Sequence, residues 1–232
     1  MYLQRILDLA PKKRSRLHLV GLDPDNYIQI FDGGKISVNI QLPTVFNSGW
    51  VEVICGSMFS GKTEELIRRV KRAQIAKQKV QIFKPIIDDR YSKEHVTSHS
   101  SLRVDAQNIH NVEEIMTHLD DNTRIVGIDE AQFFSPAIVE ISQRLANRGL
   151  RVIIAGLDLD YRGVPFGPMP LLMATAEFVT KMSAICTVCG NTASRTQRRK
   201  LENPEKNNSQ VLVGAEDFYE ARCRKCYEPP TL

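Results

Sequence analysis

The feature that most limits the fold open to this chain is an octet, Gly56-Ser57-Met58-Phe59-Ser60-Gly61-Lys62-Thr63, which fits G-x-x-x-x-G-K-[ST] at every fixed position. An apolar block, Val51-Glu52-Val53-Ile54-Cys55, precedes it. After it, Leu66, Ile67, Val70 and Ala73 recur at helical spacing, which predicts a helix from about Lys62 to Lys77. A glycine-rich turn between a strand and a helix lets successive N–H groups face phosphate oxygens, and the helix N-terminus adds partial positive charge. All eight residues are therefore candidates for ATP binding, as are Asp129, Glu130, Ala131 and Gln132 further along the chain. Lys62 is expected to reach the β- and γ-phosphates, and Thr63 to ligate Mg²⁺.

Such a turn needs a sheet around it. Val80–Phe83 reads as a second strand ended by Pro85, Arg124–Asp129 as a third, Arg151–Gly156 as a fourth and Phe178–Met182 as a fifth. Ser135-Pro136 reads as an N-cap with proline at the first helical position, opening a helix that runs to about Asn147 and stops near Gly149. Short apolar strands separated by helices imply an α/β fold, with a mostly parallel sheet covered on both faces. With 42% apolar residues, the chain can bury such a core. No apolar run approaches the roughly 20 residues that span a bilayer. Met1–Ala10 has no apolar core of a secretory signal. The expectation is a cytoplasmic protein without a membrane partner. The net charge of +4 reads as a solvated surface with a contribution from an anion site.

Ile125-Val126-Gly127-Ile128 leads into Asp129 and Glu130. An acid at the end of a buried strand is where a phosphate-loop enzyme holds Mg²⁺, so Asp129 is the expected metal carboxylate. Glu130 is a candidate general base. Two readings compete. Glu130 activates a substrate hydroxyl in a small-molecule kinase, or it activates water in a nucleic-acid-dependent ATPase carrying Asp129-Glu130-Ala131-Gln132. Length counts against the second, which needs another motor domain.

Four of the five cysteines form two pairs, Cys186-x-x-Cys189 and Cys223-x-x-Cys226. Two such knuckles in a chain without an export signal read as a closed, structural zinc site whose loss unfolds its lobe. Cys55, the odd thiol, reads as a small buried hydrophobe. Before the catalytic region, Tyr27–Phe31 and Lys35–Ile40 alternate around Asp32-Gly33-Gly34, the pattern of a β-hairpin. A lone hairpin is marginal and needs a partner surface. The expected division is an N-terminal extension over 1–48, a P-loop domain over 49–183 and a zinc-binding lobe over 184–232.

From about Gly49 to Pro229 the chain resembles the zinc-containing, RecA-like thymidine kinase family. The resemblance rests on the octet and on Lys84-Pro85 followed by Asp88-Asp89-Arg90-Tyr91. It extends through Asp129-Glu130-Ala131-Gln132-Phe133-Phe134, Gly156-Leu157-Asp158 leading to Pro165-Phe166-Gly167, and the four cysteines. It implies that Glu130 takes the proton of the thymidine 5′-hydroxyl, and that Asp88 and Arg90 approach the metal and phosphates. It makes Met58, Phe133, Leu157, Tyr161 and Phe166 walls of the thymine slot. Val211-Leu212-Val213-Gly214-Ala215, with Tyr219 after it, looks like the family's lasso, a loop that closes over the base. The resemblance also implies a homotetramer or dimer, inhibition by dTTP, and no nucleic-acid partner. Residues 1–48 precede the family's usual start, and deleting residues 1–45 is expected to leave activity largely intact.

Overall fold

The computed structural model describes residues 18–22, 27–32, 35–41, 49–86, 95–97, 103–199 and 218–230. The chain divides into two compact units, 1–46 and 47–232. In the first, β1 (His18–Leu22), β2 (Tyr27–Asp32) and β3 (Lys35–Gln41) form an antiparallel sheet in that order. The β2–β3 register ends on the pair Asp32–Lys35, so the expected hairpin is present, and β1 supplies the third strand it needs.

The second unit is built on β4 (Trp50–Gly56), β5 (Val80–Pro85), β8 (Gln107–Ile109), β9 (Ile125–Ile128), β10 (Arg151–Leu157) and β11 (Phe178–Met182). A short antiparallel pair, β6 (His95–Thr97) and β7 (Arg103–Asp105), lies between β5 and β8 in the chain. The main sheet runs β11-β4-β10-β9-β5-β8, and every pairing in it is parallel. β10 therefore separates the strand before the octet from the strand before Asp129.

Side chains alternate across β4 with the strand period of two. Val51, Val53 and Cys55 pack with Ile138, Ile141 and Leu145 of α3 (Ala137–Asn147) and Leu172 of α4 (Met169–Thr175). Ile115 of α2 (Glu114–His118) joins the same cluster. Ile54 packs on the other face with Leu66, Ile67 and Val70 of α1 (Lys62–Ile75). Fully burying each such aliphatic is worth about 1.5–3 kcal/mol, which makes the two faces the main stabilising term.

Glu52 interrupts the apolar alternation and is 5% exposed. Arg151 Nε and Trp50 Nε1 donate to it at 2.6 Å, and Arg69 Nη1 at 2.7 Å. Burial raises its pKa, but these donors and charges outweigh burial and hold it below the ordinary glutamate value.

Three boundaries differ from the sequence expectation. α1 stops at Ile75 because Lys77 adopts a left-handed backbone with φ 57°. The third strand is Ile125–Ile128, since Asp129 leaves the ladder for a 3-10 turn over Ala131–Phe133. Pro136 is already helical at the start of α3, and Ser135 contributes its carbonyl, accepting from Ile138 N at 3.1 Å, rather than a side-chain cap.

The paired cysteines lie among β12 (Ala184–Ile185), β13 (Thr192–Ala193), β14 (Arg195–Arg198) and β15 (Tyr219–Arg222), which form two antiparallel pairs. Among the described residues, the buried cluster of this lobe is Ala184, Ala193, Ala221, Cys186 and Cys223. So little apolar surface needs another staple. Among the described residues no helix is long and apolar enough to cross a membrane.

Candidate active site

The octet leaves β4 at Gly56, which pairs in register with Leu157 of β10 and Met182 of β11. A Cβ at Gly56 would lie 2.3 Å from the Met182 carbonyl oxygen, so only glycine fits between those strand ends. Phe59 and Gly61 take positive φ, 63° and 82°, and α1 starts at Lys62. Ser60 Oγ and Lys62 Nζ each donate to the Ser57 carbonyl at 2.8 Å. Desolvation lowers the Lys62 ammonium below the usual lysine value, opposed by the charges of Glu130, Asp129 and Asp158.

Asp129 comes to the same place from β9. Thr63 Oγ1 donates to its Oδ2 at 3.3 Å, and Glu130 N to its Oδ1 at 3.0 Å. Burial, with the charge of Glu130, pushes Asp129 up to about 7. A buried carboxylate disfavoured in its charged form and set against a threonine hydroxyl is a donor pair that fits Mg²⁺. Glu130 adopts a left-handed backbone, φ 53° and ψ 39°, which costs a non-glycine residue about 1–2 kcal/mol and is typical of functional sites. Gln132 Nε2 donates to Glu130 Oε2 at 2.5 Å, and Leu157 N donates to Gln132 Oε1 at 2.9 Å. Ala131 is fully buried.

Of the residues expected to wall a base slot, Phe133 and Phe166 meet edge to face at 5.4 Å between centroids. Tyr161 and Tyr219 instead flank Arg198. Its guanidinium lies 4.2 Å from the Tyr161 ring and 5.6 Å from the Tyr219 ring, and Nη2 donates to Tyr219 Oη at 3.1 Å. Tyr227 Oη donates to the Tyr161 carbonyl at 2.7 Å. Met58 N donates to Thr196 Oγ1 at 3.0 Å, and Leu157 contributes the N–H already described. Asp88, Arg90 and Val211, Leu212, Val213 and Gly214 lie outside the described residues.

Sequence reasoning assigned no role to Thr196, Arg198, Asp158 or Lys181. Asp158, 5% exposed, follows β10, with Lys181 Nζ 2.8 Å from Oδ2, a charge contact off the line of a hydrogen bond. Its position straight after the strand was the available signal. Thr196 and Arg198 lie in a polar stretch that carries none. Cys55 is fully buried, and burial, with the charge of Asp158, pushes its thiol up to about 11.

The Sγ atoms of Cys186, Cys189, Cys223 and Cys226 all lie within 4.8 Å of one another. Cys189 and Cys223 are 3.6 Å apart, far beyond the roughly 2.05 Å of a disulfide. That spacing matches the edge of about 3.8 Å expected for a tetrahedron of thiolates at about 2.3 Å from zinc. Burial raises the Cys186 thiol, but N–H groups of Cys223, Val188 and Cys189 outweigh it and bring it down to about 6. The Cys226 N–H lowers Cys223. Hydrogen bonds with Cys189 and Cys223 push the Cys226 thiol up to about 12, and together the four thiols could hold a dication.

A strand, a glycine-rich turn and a helix, with a buried acid two strands away reaching the helix's first threonine, define a P-loop phosphotransfer protein. The thymidine kinase family model matches residues 49–227. A thymidine kinase of Bdellovibrio bacteriovorus is 58% identical over 192 residues, covering 81% of this chain and 92% of that protein. The chain belongs to the thymidine kinase family. Among solved structures, an ATPase covers 66% of the chain at 14% identity, with a TM-score of 0.38 over 75% of its own length. The cytoplasmic domain of the Thermomonospora curvata type VII secretion ATPase EccC covers 76% at 14% identity, with a TM-score of 0.39 over 23% of its own length. These two likenesses are too slight to add to the family assignment.

Proposed function

We propose that this chain transfers the γ-phosphate of ATP to the 5′-hydroxyl of thymidine, giving dTMP and ADP. The observation that supports it most is the convergence of Lys62, Thr63, Asp129 and Glu130 in a chain of this family. Backbone N–H groups of the octet and the Lys62 ammonium hold the phosphates. Glu130 accepts the proton of the 5′-hydroxyl as that oxygen bonds to the γ-phosphorus and the bond to the β-bridging oxygen breaks. Mg²⁺, which Thr63 and Asp129 would hold, supplies charge neutralisation at the phosphate oxygens.

Phe133 and Phe166 offer flat apolar walls for thymine. Zinc held by the four cysteines would brace the lobe whose sequence carries the lasso candidates Val211–Ala215 and Tyr219. Deoxyuridine as a second substrate, dTTP as an inhibitor, a homotetrameric assembly, a RecA-like arrangement and a cytoplasmic setting belong to the same reading.

The test is ADP release from MgATP with thymidine or with single-stranded DNA as stimulus, for wild type and Glu130→Gln. Thymidine-dependent ADP matched by dTMP, and lost in the variant, is expected. DNA-stimulated hydrolysis without a nucleoside product would move the chain to the motor ATPases.

A further inference from the structure

Gln132 belongs to the stretch that reads as nucleotide-binding, yet it is 3% exposed and both ends of its amide are occupied. The Leu157 N–H requires an acceptor, so Oε1 faces β10 and the amide NH₂ must face Glu130. The slot is tight. A Cβ at Gly167 would lie 2.3 Å from the Gln132 carbonyl oxygen, and one at Gly156 would lie 2.8 Å from Oε1. Glycine at both positions thus lets β10 and the turn before α4 pack closely against Gln132. Leu157, which anchors it, pairs in register with Gly56 at the start of the octet.

We propose that Gln132 is a positioning residue for Glu130 rather than a nucleotide contact. It docks Glu130 Oε2 to the strand end that also sets the P-loop, and it leaves Oε1 as the atom that takes the substrate proton. A tether is needed there. The left-handed backbone of Glu130 is sparsely populated, and the neighbouring carboxylate of Asp129 repels its charge. Holding base and phosphates to one strand end fixes their separation through the reaction. The inference rests on the reading of Glu130 as the base.

The experiment uses the full chain with Gln132→Met and Gln132→Glu, each alone and combined with Glu130→Gln. Gln132→Met keeps length and removes both hydrogen bonds. Gln132→Glu keeps an acceptor for Leu157 and sets a second carboxyl against Glu130, so it decides the matter if the methionine variant does not fold. The expected result is a kcat lower by roughly 10–100-fold, with KM for ATP and thymidine within about twofold. In the Glu130→Gln background the same change is expected to add less than about twofold, because residues acting as a unit are non-additive. A raised KM for ATP at unchanged kcat would mark a nucleotide contact and overturn the proposal, as would the full loss repeated in the Glu130→Gln background. Wild-type kcat in the Gln132 variants beside an inactive Glu130→Gln removes the tether and keeps the base. Wild-type turnover in Glu130→Gln removes the base itself.

Discussion

Met58 in the phosphate loop donates its N–H to Thr196 Oγ1 of β14 at 3.0 Å. One residue earlier, Ser57 Oγ donates to the carbonyl of Ala193 in β13 at 3.3 Å. The cysteine lobe therefore grips the phosphate loop directly.

Removing that grip is the first prediction. Thr196→Val keeps the shape and deletes the acceptor, leaving the Met58 N–H without it at a cost of about 1–2 kcal/mol. ATP affinity, measured by titration calorimetry, is expected to fall roughly 5–20-fold while the Glu130 chemistry is untouched. Wild-type affinity would show that the bond does not set the loop.

Metal removal should act through the same route. A chelator, or Cys223→Ser, is expected to release one zinc per chain and melt β12–β15. ATP binding should weaken together with thymidine turnover, followed by a metal-release dye and by near-ultraviolet circular dichroism. Full ATP affinity in a metal-free chain would break the link between the lobe and the loop.

Glu52 makes stability pH-dependent. Its folded value lies below the ordinary 4.5, so its contribution is fully present above about pH 4.5 and is lost as pH falls through the lowered folded value. Glu52→Gln removes the charge that Arg69 and Arg151 share, though Arg69 keeps Glu65, and should cost about 2 kcal/mol at pH 7, with the gap to wild type narrowing in acid. Urea unfolding at pH 7 and pH 4 reads both numbers. A gap that widens in acid would reverse the sign.

The N-terminal sheet should be dispensable for catalysis. The family match begins at residue 49, after the boundary between the two units. Deleting residues 1–45 is expected to leave kcat for thymidine within about threefold, since surface additions outside a fold are generally tolerated. A folded, inactive product would assign the first unit a catalytic role.

The octet, Asp129 and the paired cysteines are legible in the sequence because a phosphate or a metal dictates the spacing of residues close together in the chain. β11 and α3 are legible because each is long enough to show its period or its punctuation. β8 and α4 are not. A three-residue strand shows no alternation, and α4 is fixed by burying Met169 and Leu172 in a core built from distant residues. The left-handed backbone of Glu130 has no sequence sign, since glycine is the usual occupant of that region. Thr196, Arg198 and the amide of Gln132 take their roles from Met58, Tyr161 and Leu157, and local pattern cannot reach so far.

The order of strands also has a consequence for how the chain is born. β4 is flanked by β10 and β11 and by no strand made before them. Val53 pairs with Ile154 and Val179, roughly 100 and 125 residues later, so a large loop must close before either partner is met. At roughly 5–20 residues per second, a ribosome leaves this apolar strand with both edges bare for about 5–20 seconds. The phosphate loop is thus the first part of the catalytic apparatus to be synthesised, yet the strand that carries it waits for β10 and β11, and a nascent chain stalled before residue 151 presents β4 as a sticky, unpaired ribbon.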